Sequence, residues 1–434
     1  MSFLDMIRPA KEAESAALER RFKDNPASRP ADMPVRDYRA ALFGGMSIIA
    51  EVKRKSPSNP GLQRLGPVGS LARAYHRGGA HALSIVTDAA HVGTSLADVA
   101  ALRAATDLPV LVKDFVIGTA QIQAAWAAGA DAILLIARML DPDTLQRLHA
   151  EARALDLTVL VECHAAGEIE QALAAGATVV GVNTRNLASL TTDLAHGESL
   201  LPLVGRDVVT VSESGLADRS DVERMSRAGA DAFLVGHALL LSADPGRKVA
   251  EMSGQEDEDA LRVKICGLTS SADAKAAFEA GAHHLGLVFA ASPRQVGLEQ
   301  ARDIRGAVPD ARLCGVFQDA DTAEVIATAD KCGLDLIQLH GQESPAECRE
   351  VVAATGLPLI KALRPDEATP ARVEAFDAAA YILIDAPKGS SASVDQAALR
   401  DAVARIRTEG RDVFLAGGLD PANVAAAVRA CSPF

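Results

Sequence analysis

The chain has 434 residues, 49% of them hydrophobic and 3% aromatic, with a formal net charge of −13. Such a length favours two domains over one core, and the acidic balance argues against nucleic acid or an anionic membrane as partner, since both select basic surfaces. Six cysteines without a CxxC pair suit free thiols in a reducing cytoplasm, and no run approaches the ~20 apolar residues of a membrane span.

The opening MSFLDMIRPAKEAESAALERRF is too charged for a secretory signal. Residues 1–46 predict one or two amphipathic helices with a proline-containing break, either capping or flanking the first domain or standing as a solvated decoration. Short β-branched runs then recur at the interval of a βα unit: SIIAEVK (47–53), ALSIVTD (82–88), PVLVKDF (109–115) and AILLIAR (132–138). TVLVECH (158–164), VVGVNTR (179–185), DVVTVSES (207–214) and AFLVGHALL (232–240) continue the series. Each is apolar on both faces until its C-terminal end, as a strand buried between a barrel interior and outer helices must be. The helical stretches between them finish on Gly-Ala at 79–80, 129–130, 176–177 and 229–230, where glycine can take the left-handed conformation that stops a helix. Eight such units, with no GxGxxG at the first βα junction, predict a closed (β/α)8 barrel rather than an open nucleotide-binding sheet.

Barrel enzymes assemble their sites from strand C-termini. Residues i and i+2 share a face of a strand, so Glu51 and Lys53 point the same way. Lys113, Glu162, Asn183, Arg185 and Glu213 occupy equivalent ends of later strands. Any one of these charges, taken singly, reads as a solvated ion pair; their recurrence at the same end of five strands predicts one pocket in which lysines and glutamates share acid and base work. Glu162 and Lys113 interrupt apolar runs, where an unpaired charge would be costly. Gly215 and Gly236, after the last two strands, fit a phosphate site, although tight turns account for either equally well. Ser56 and Ser58 could add hydroxyl donors, or simply form a turn.

SGQEDED (253–259) is a polar, acidic linker, placing domains at 1–252 and 261–434 with 253–260 between them. The strand pattern then restarts with LRVKICGL (261–268), HHLGLVFA (283–290), RLCGVFQD (312–319) and DLIQLHG (335–341), followed by PLIKALR (358–364), YILIDAP (381–387) and DVFLAGGL (412–419). Seven runs in fewer than the roughly 200 residues a complete barrel takes predict a second barrel one βα unit short.

EVKRKSPS (51–58), VLVKDF (110–115), VLVECH (159–164), GVNTRNL (181–187), VSESGL (211–216) and FLVGHALL (233–240) resemble, in order, the motifs of indole-3-glycerol-phosphate synthase. The resemblance implies ring closure, decarboxylation and dehydration of a carboxyphenylamino-deoxyribulose phosphate, without metal or organic cofactor. It makes Lys113 the acid on the ketone oxygen, with Glu162 and the Glu51–Lys53 pair serving the dehydration. Asn183, Arg185 and Glu213 would orient the anthranilate part, Ser56, Gly215 and Gly236 would hold the phosphate, and Phe115 and Ser214 are further substrate contacts. Asn59-Pro60-Gly61 and His237 depart from the family pattern, so the first loop is expected to close differently.

VKICGLT (263–269), SPRQV (292–296), IQLHG (337–341), LIDAP (383–387) and LAGGL (415–419) resemble phosphoribosylanthranilate isomerase, whose Amadori rearrangement needs one base and one acid. By that resemblance Cys266 is the base and Asp385 the acid, Arg294 and His340 contact substrate, and Gly417-Gly418 forms half of a phosphate site. PKGSSASVD (387–395) departs from the family's Gly-rich pattern, and the family's eighth strand with its GVDVSSGVE-like loop would fall after Phe434. The expected architecture is therefore two tandem (β/α)8 barrels, the second lacking its last unit, in a soluble, cytoplasmic, monomeric enzyme of small phosphorylated substrates. A Schiff-base aldolase using Lys53 or Lys113 is the rival reading, and a non-catalytic stabilising module is the rival for the second half. A metal hydrolase is disfavoured, because no HxH ends the first strand and His164 has no ligand cluster in the sequence.

Overall fold

The computed structural model describes residues 3–431 and 433, apart from 57–58, 64–65, 186–190, 256–260, 386–395 and 409–410. Ser58, most of the acidic linker and the segment 387–395 thus lie outside the described residues. The chain divides into two compact units, Met1–Arg64 with Leu71–Glu256, and Leu65–Ser70 with Asp257–Phe434.

In the first unit eight parallel strands close a barrel. They are β1 (Ser47–Val52), β2 (Ala82–Val86), β3 (Val110–Lys113), β4 (Ala132–Ile136), β5 (Thr158–Cys163), β6 (Val179–Asn183), β7 (Val209–Glu213) and β8 (Ala232–Val235). Pairing of Ser47 with Ala232 closes the ring. Every residue of these strands is buried except Val86 and Lys113, each the last of its strand. That explains the continuous apolar runs: no face meets water until the chain leaves the sheet. The loop after β1 folds as an antiparallel hairpin of Lys55–Ser56 with Asn59–Gln63, at the place where the sequence departs from the family pattern.

The N-terminal helix α1 (Phe3–Asp24) is followed by a break at 25–37 that contains Pro26, Pro30 and Pro34. Two sets of contacts hold this segment to the barrel. At the mouth, Lys11 of α1 pairs with Asp114 at 2.5 Å, and Asp114 also accepts from Thr87 at 2.8 Å, so α1 braces the turn that carries Lys113. At the opposite end lies Asp131, fully buried. Its carboxylate pairs with Arg29 at 3.3 Å and Arg103 at 2.5 Å, and accepts the backbone N–H of Arg36 at 2.8 Å and of Val110 at 2.9 Å.

The Asp131–Val110 contact belongs to a repeated device. In Gly-Ala-Asp (129–131 and 229–231), Gly-Ala-His (79–81 and 281–283) and Gly-Leu-Asp (333–335), the third residue exchanges two hydrogen bonds with one residue at the start of the preceding strand. Its own N–H donates to that residue's carbonyl, and its side chain accepts that residue's N–H. The pairs are His81–Ile48, Asp131–Val110, Asp231–Thr210, His283–Val263 and Asp335–Leu313. The glycine before it ends the helix at positive φ, 104° at Gly129 and 113° at Gly229. For His81 to accept at Nδ1 it must be neutral, and burial lowers its pKa accordingly.

The second unit holds a seven-stranded parallel sheet. Its strands are β9 (Lys264–Cys266), β10 (His284–Val288), β11 (Arg312–Phe317), β12 (Leu336–Leu339), β13 (Leu359–Leu363), β14 (Tyr381–Asp385) and β15 (Asp412–Ala416), paired in chain order. Alternation sorts side chains into two cores: Tyr381 and Leu383 lie in one with Cys314, Leu336, Ile360 and Phe414, while Ile382 and Ile384 pack into the larger one. Among the described residues β9 and β15 pair with no further strand, and Val263 and Ile265 are each 41% exposed beside that edge. No helix among the described residues is long and apolar enough to cross a membrane.

Candidate active sites

The strand ends of the first barrel bring Lys113 among three carboxylates. Its Nζ lies 3.1 Å from Glu213, 3.6 Å from Glu51 and 4.0 Å from Glu162, and Glu51 also holds Lys53 at 2.6 Å. The predicted charges therefore do converge. Burial opposes charge at each group, but the two ammoniums overcome it at Glu51, whose pKa falls to about 2. Lys113 loses to burial and regains more from Glu213, Glu51 and Glu162, so its pKa rises well above the usual lysine value. Three carboxylates beside two ammoniums leave one proton favourably retained. Glu213, fully buried, is pushed up to about 8 by desolvation and by Glu162 and Glu51, against the pull of Lys113.

Two glycines make room for this cluster. A Cβ at Gly181 would stand 2.1 Å from Glu213 Oε1, and a Cβ at Gly236 would stand 2.1 Å from Glu51 Oε1 and 3.0 Å from Lys53 Nζ. Gly236, expected from the sequence only as a phosphate turn, is thus also the recess that accepts the Glu51–Lys53 pair. Gly181 stands out nowhere in the sequence, since a small residue inside VVGVN carries no signal of what crosses it.

The remaining predicted residues of the first unit lie at or just beyond the same strand ends. Asn183 is buried and accepts the Arg185 N–H at 3.0 Å, bending the chain out of β6. Lys53 and Arg185 together help burial lower the pKa of His237, so both cations face the first turn after β8. Ser214 and Gly215 both have positive φ, 68° and 78°, and the Ser214 carbonyl accepts from Thr184 at 2.9 Å. The Phe115 N–H is held by Asp114 at 2.7 Å. Ser56 lies in the hairpin after β1.

In the second unit, Cys266 is exposed at the end of β9 and the other five cysteines are buried, all six as free thiols. Arg294 donates to the Cys266 carbonyl at 3.1 Å. Gly286 is the counterpart of Gly181, because a Cβ there would meet Cys266 Sγ at 2.7 Å and Lys264 Nζ at 3.0 Å. Asp385 faces His340 Nε2 at 3.1 Å, and His340 Nδ1 is met by Gln338 Nε2 at 2.7 Å. With the Gln338 amide donating, His340 carries its proton on Nε2 and donates it to Asp385. Lys361, 1% exposed, locks the loop bearing His340 through Glu343 at 2.6 Å and the Gly341 carbonyl at 2.7 Å. Gln338, Glu343 and Lys361 were not expected from the sequence, though a lysine inside PLIKALR is the kind of interruption that marked Lys113. Gly417 and Gly418 both take positive φ, 90° and 64°.

The indole-3-glycerol phosphate synthase family model matches residues 5–252, and that of N-(5'phosphoribosyl)anthranilate isomerase matches 263–433. An indole-3-glycerol phosphate synthase of Nocardioides sp. is 49% identical over 227 residues, covering 52% of this chain and 86% of that protein. The tryptophan biosynthesis protein TrpCF of Yersinia pestis is 35% identical over 393 residues, covering 89% of this chain and 79% of that protein. A phosphoribosyl anthranilate isomerase crystal structure from Thermotoga maritima is 30% identical and covers 40% of this chain and 85% of its own, with a TM-score of 0.36. The chain belongs to the indole-3-glycerol phosphate synthase family, and with its second, isomerase domain it is a bifunctional enzyme of tryptophan biosynthesis.

Proposed function

We propose that Lys113 is the general acid of the synthase reaction and Glu162 its partner in dehydration, with Glu51 and Lys53 assisting. The observation that carries this is the single ammonium of Lys113 set among Glu213, Glu51 and Glu162. As the anthranilate ring attacks the ketone of the carboxyphenylamino-deoxyribulose phosphate, the ketone oxygen becomes an alkoxide, itself a strong base. A lysine of raised pKa can protonate it. The same raised pKa disfavours a Schiff-base role for Lys113, which needs a neutral amine. Glu213 and Asn183 orient the lysine and the substrate; Arg185 and Phe115 receive the anthranilate part. Ser56, Ser214, Gly215 and Gly236 hold the phosphate, where Lys53 and Arg185 add positive charge.

In the second unit Cys266 removes the C2 proton of phosphoribosylanthranilate and Asp385 protonates the ring oxygen, with Arg294 and His340 on the substrate and Gly417-Gly418 at its phosphate. Exposure of Cys266 and the His340–Asp385 contact support this pairing. Six free thiols suit a reducing cytoplasm, and sedimentation tests whether the chain works there as a monomer.

Separate assays of the two reactions test the assignment. Lys113→Ala should lower synthase kcat by about 10²–10⁴, the range of a positioned acid, and leave the isomerase unchanged. Cys266→Ala should do the reverse. An unaltered synthase rate in Lys113→Ala would overturn the first assignment, and an unaltered isomerase rate in Cys266→Ala the second.

A further inference from the structure

We propose that His164 and Glu168 form a proton relay behind Glu162, linking the synthase site to the barrel surface; this deepens the proposed synthase mechanism and rests on Glu162 being one of its proton carriers. His164 immediately follows the end of β5 and is 6% exposed. Its ring stands between two carboxylates, with Nε2 3.4 Å from Glu162 Oε1 and Nδ1 3.6 Å from Glu168 Oε2. Neither ring nitrogen has a hydrogen-bond partner among the described residues. A buried imidazole with each nitrogen within 3.6 Å of a carboxylate oxygen, the Glu162 contact close enough for a hydrogen bond but out of line, can pass a proton from one to the other once the ring turns into line. Catalytic contacts that are long without substrate tighten when it binds.

The outer end of the line is fixed. Glu168 accepts the His164 backbone N–H at 2.7 Å and is held by Arg138 at 2.9 Å. Arg138 is exposed, so the series Lys113, Glu162, His164, Glu168, Arg138 runs from the buried cluster to solvent with a titratable ring at its centre. His196 Nε2 meets the His164 carbonyl at 3.0 Å and leaves the ring to the two carboxylates.

The stoichiometry supplies the need for such a path. The substrate carboxylate leaves as CO₂, its bonding electron pair staying on the ring, and the ketone oxygen leaves as water after receiving two protons. One proton returns from the ring as the indole forms. Substrate carboxylate plus one proton therefore gives indole product, CO₂ and water, and each turnover draws one proton from solvent. Glu162, 3% exposed, has poor direct access to water, whereas Glu168 is less deeply buried.

The test uses the full chain. His164→Gln and Glu168→Gln should each lower synthase kcat about tenfold at unchanged KM, below the 10²–10⁴ effect of losing the acid or base itself. Each should flatten the pH dependence of kcat and enlarge its solvent deuterium isotope effect. Imidazole added to His164→Ala should restore part of kcat, which a purely structural histidine would not allow. Wild-type kcat and isotope effect in both glutamine variants would overturn the relay, as would a rise in KM at constant kcat. Glu162→Gln separates the two layers: full activity there defeats the underlying assignment, while its loss beside normal His164→Gln and Glu168→Gln enzymes defeats only the relay.

Discussion

The two units carry the same kind of chemistry in different surroundings. In the first, a closed ring buries all three carboxylates of the cluster, and their pKa values spread apart: Glu51 falls to about 2 while Glu213 rises to about 8. In the second, Cys266 is exposed on an edge strand, and the side chains of His340 and Asp385 are each about a third exposed, at 32% and 30%. Desolvation amplifies every charge–charge interaction. The first site thus sets its protonation states by packing carboxylates around ammoniums, whereas the second relies on oriented hydrogen bonds, Gln338 to His340 to Asp385.

The largest test of that contrast is Asp131→Asn. It strands Arg29 and Arg103 in a buried site, and loss of one partner from such a cluster costs about 3–5 kcal/mol. Urea unfolding should show it. Asp335→Asn in the second unit, where Arg305 is a pairing cation, should cost less, because the Arg305 side chain is 17% exposed whereas those of Arg29 and Arg103 are 6% and 4% exposed. Equal losses would remove the distinction between the units.

Next comes a paired glycine experiment. Gly181→Ala forces Glu213 out of a closed interior, and displacement of a catalytic-site group by about 1 Å can cost 10²-fold in rate. Synthase kcat/KM should fall by about that factor, with the isomerase untouched. Gly286→Ala presses on Cys266, which stands on an open edge and can swing away, so the isomerase loss should be smaller, about tenfold or less. A larger isomerase loss would mean that the edge holds Cys266 as rigidly as the barrel holds Glu213.

The smallest effect is in pH dependence. Glu213 is raised above its ordinary value of 4.5 to about 8 in the folded protein, so the folded state binds more protons than the unfolded chain between those values. Its contribution to stability is present below 4.5 and lost as pH rises through about 8. Glu51, lowered from 4.5 to about 2, acts in the opposite sense, and its contribution is lost as pH falls through that window. Glu213→Gln should flatten the alkaline decline in stability and remove a limb near pH 8 from synthase kcat/KM. An unchanged profile would show that Glu213 is ionised throughout.

Much of this was legible in the sequence. The strands announce themselves because parallel strands buried on both faces cannot alternate, and the charges that break those runs, Lys113 and Glu162, are two that meet at the strand ends. Period-two reasoning places a side chain on a face, but it does not say which neighbour reaches across. That is why Gly181, the recess for Glu213, left no trace, and why Gly236 looked only like a turn. The Lys11–Asp114 brace and the Arg29–Asp131 pair join residues about a hundred positions apart, and no local pattern encodes such a meeting.

The Gly-Ala-Asp and Gly-Ala-His clamps have a consequence for how such a chain can be built and rebuilt. Each one fixes alignment with a residue in the preceding strand, using both the main chain and the side chain of one position. Register, which a single-residue slip would otherwise invert, is thereby written inside the clamped pairs of neighbouring units rather than across the whole sheet. A pair carrying its own alignment can be copied, transplanted or joined in a new order and still find its place. The clamp recurs in both units, at His81, Asp131 and Asp231 and again at His283 and Asp335. It makes the two-strand module, more than the finished barrel, the exchangeable part.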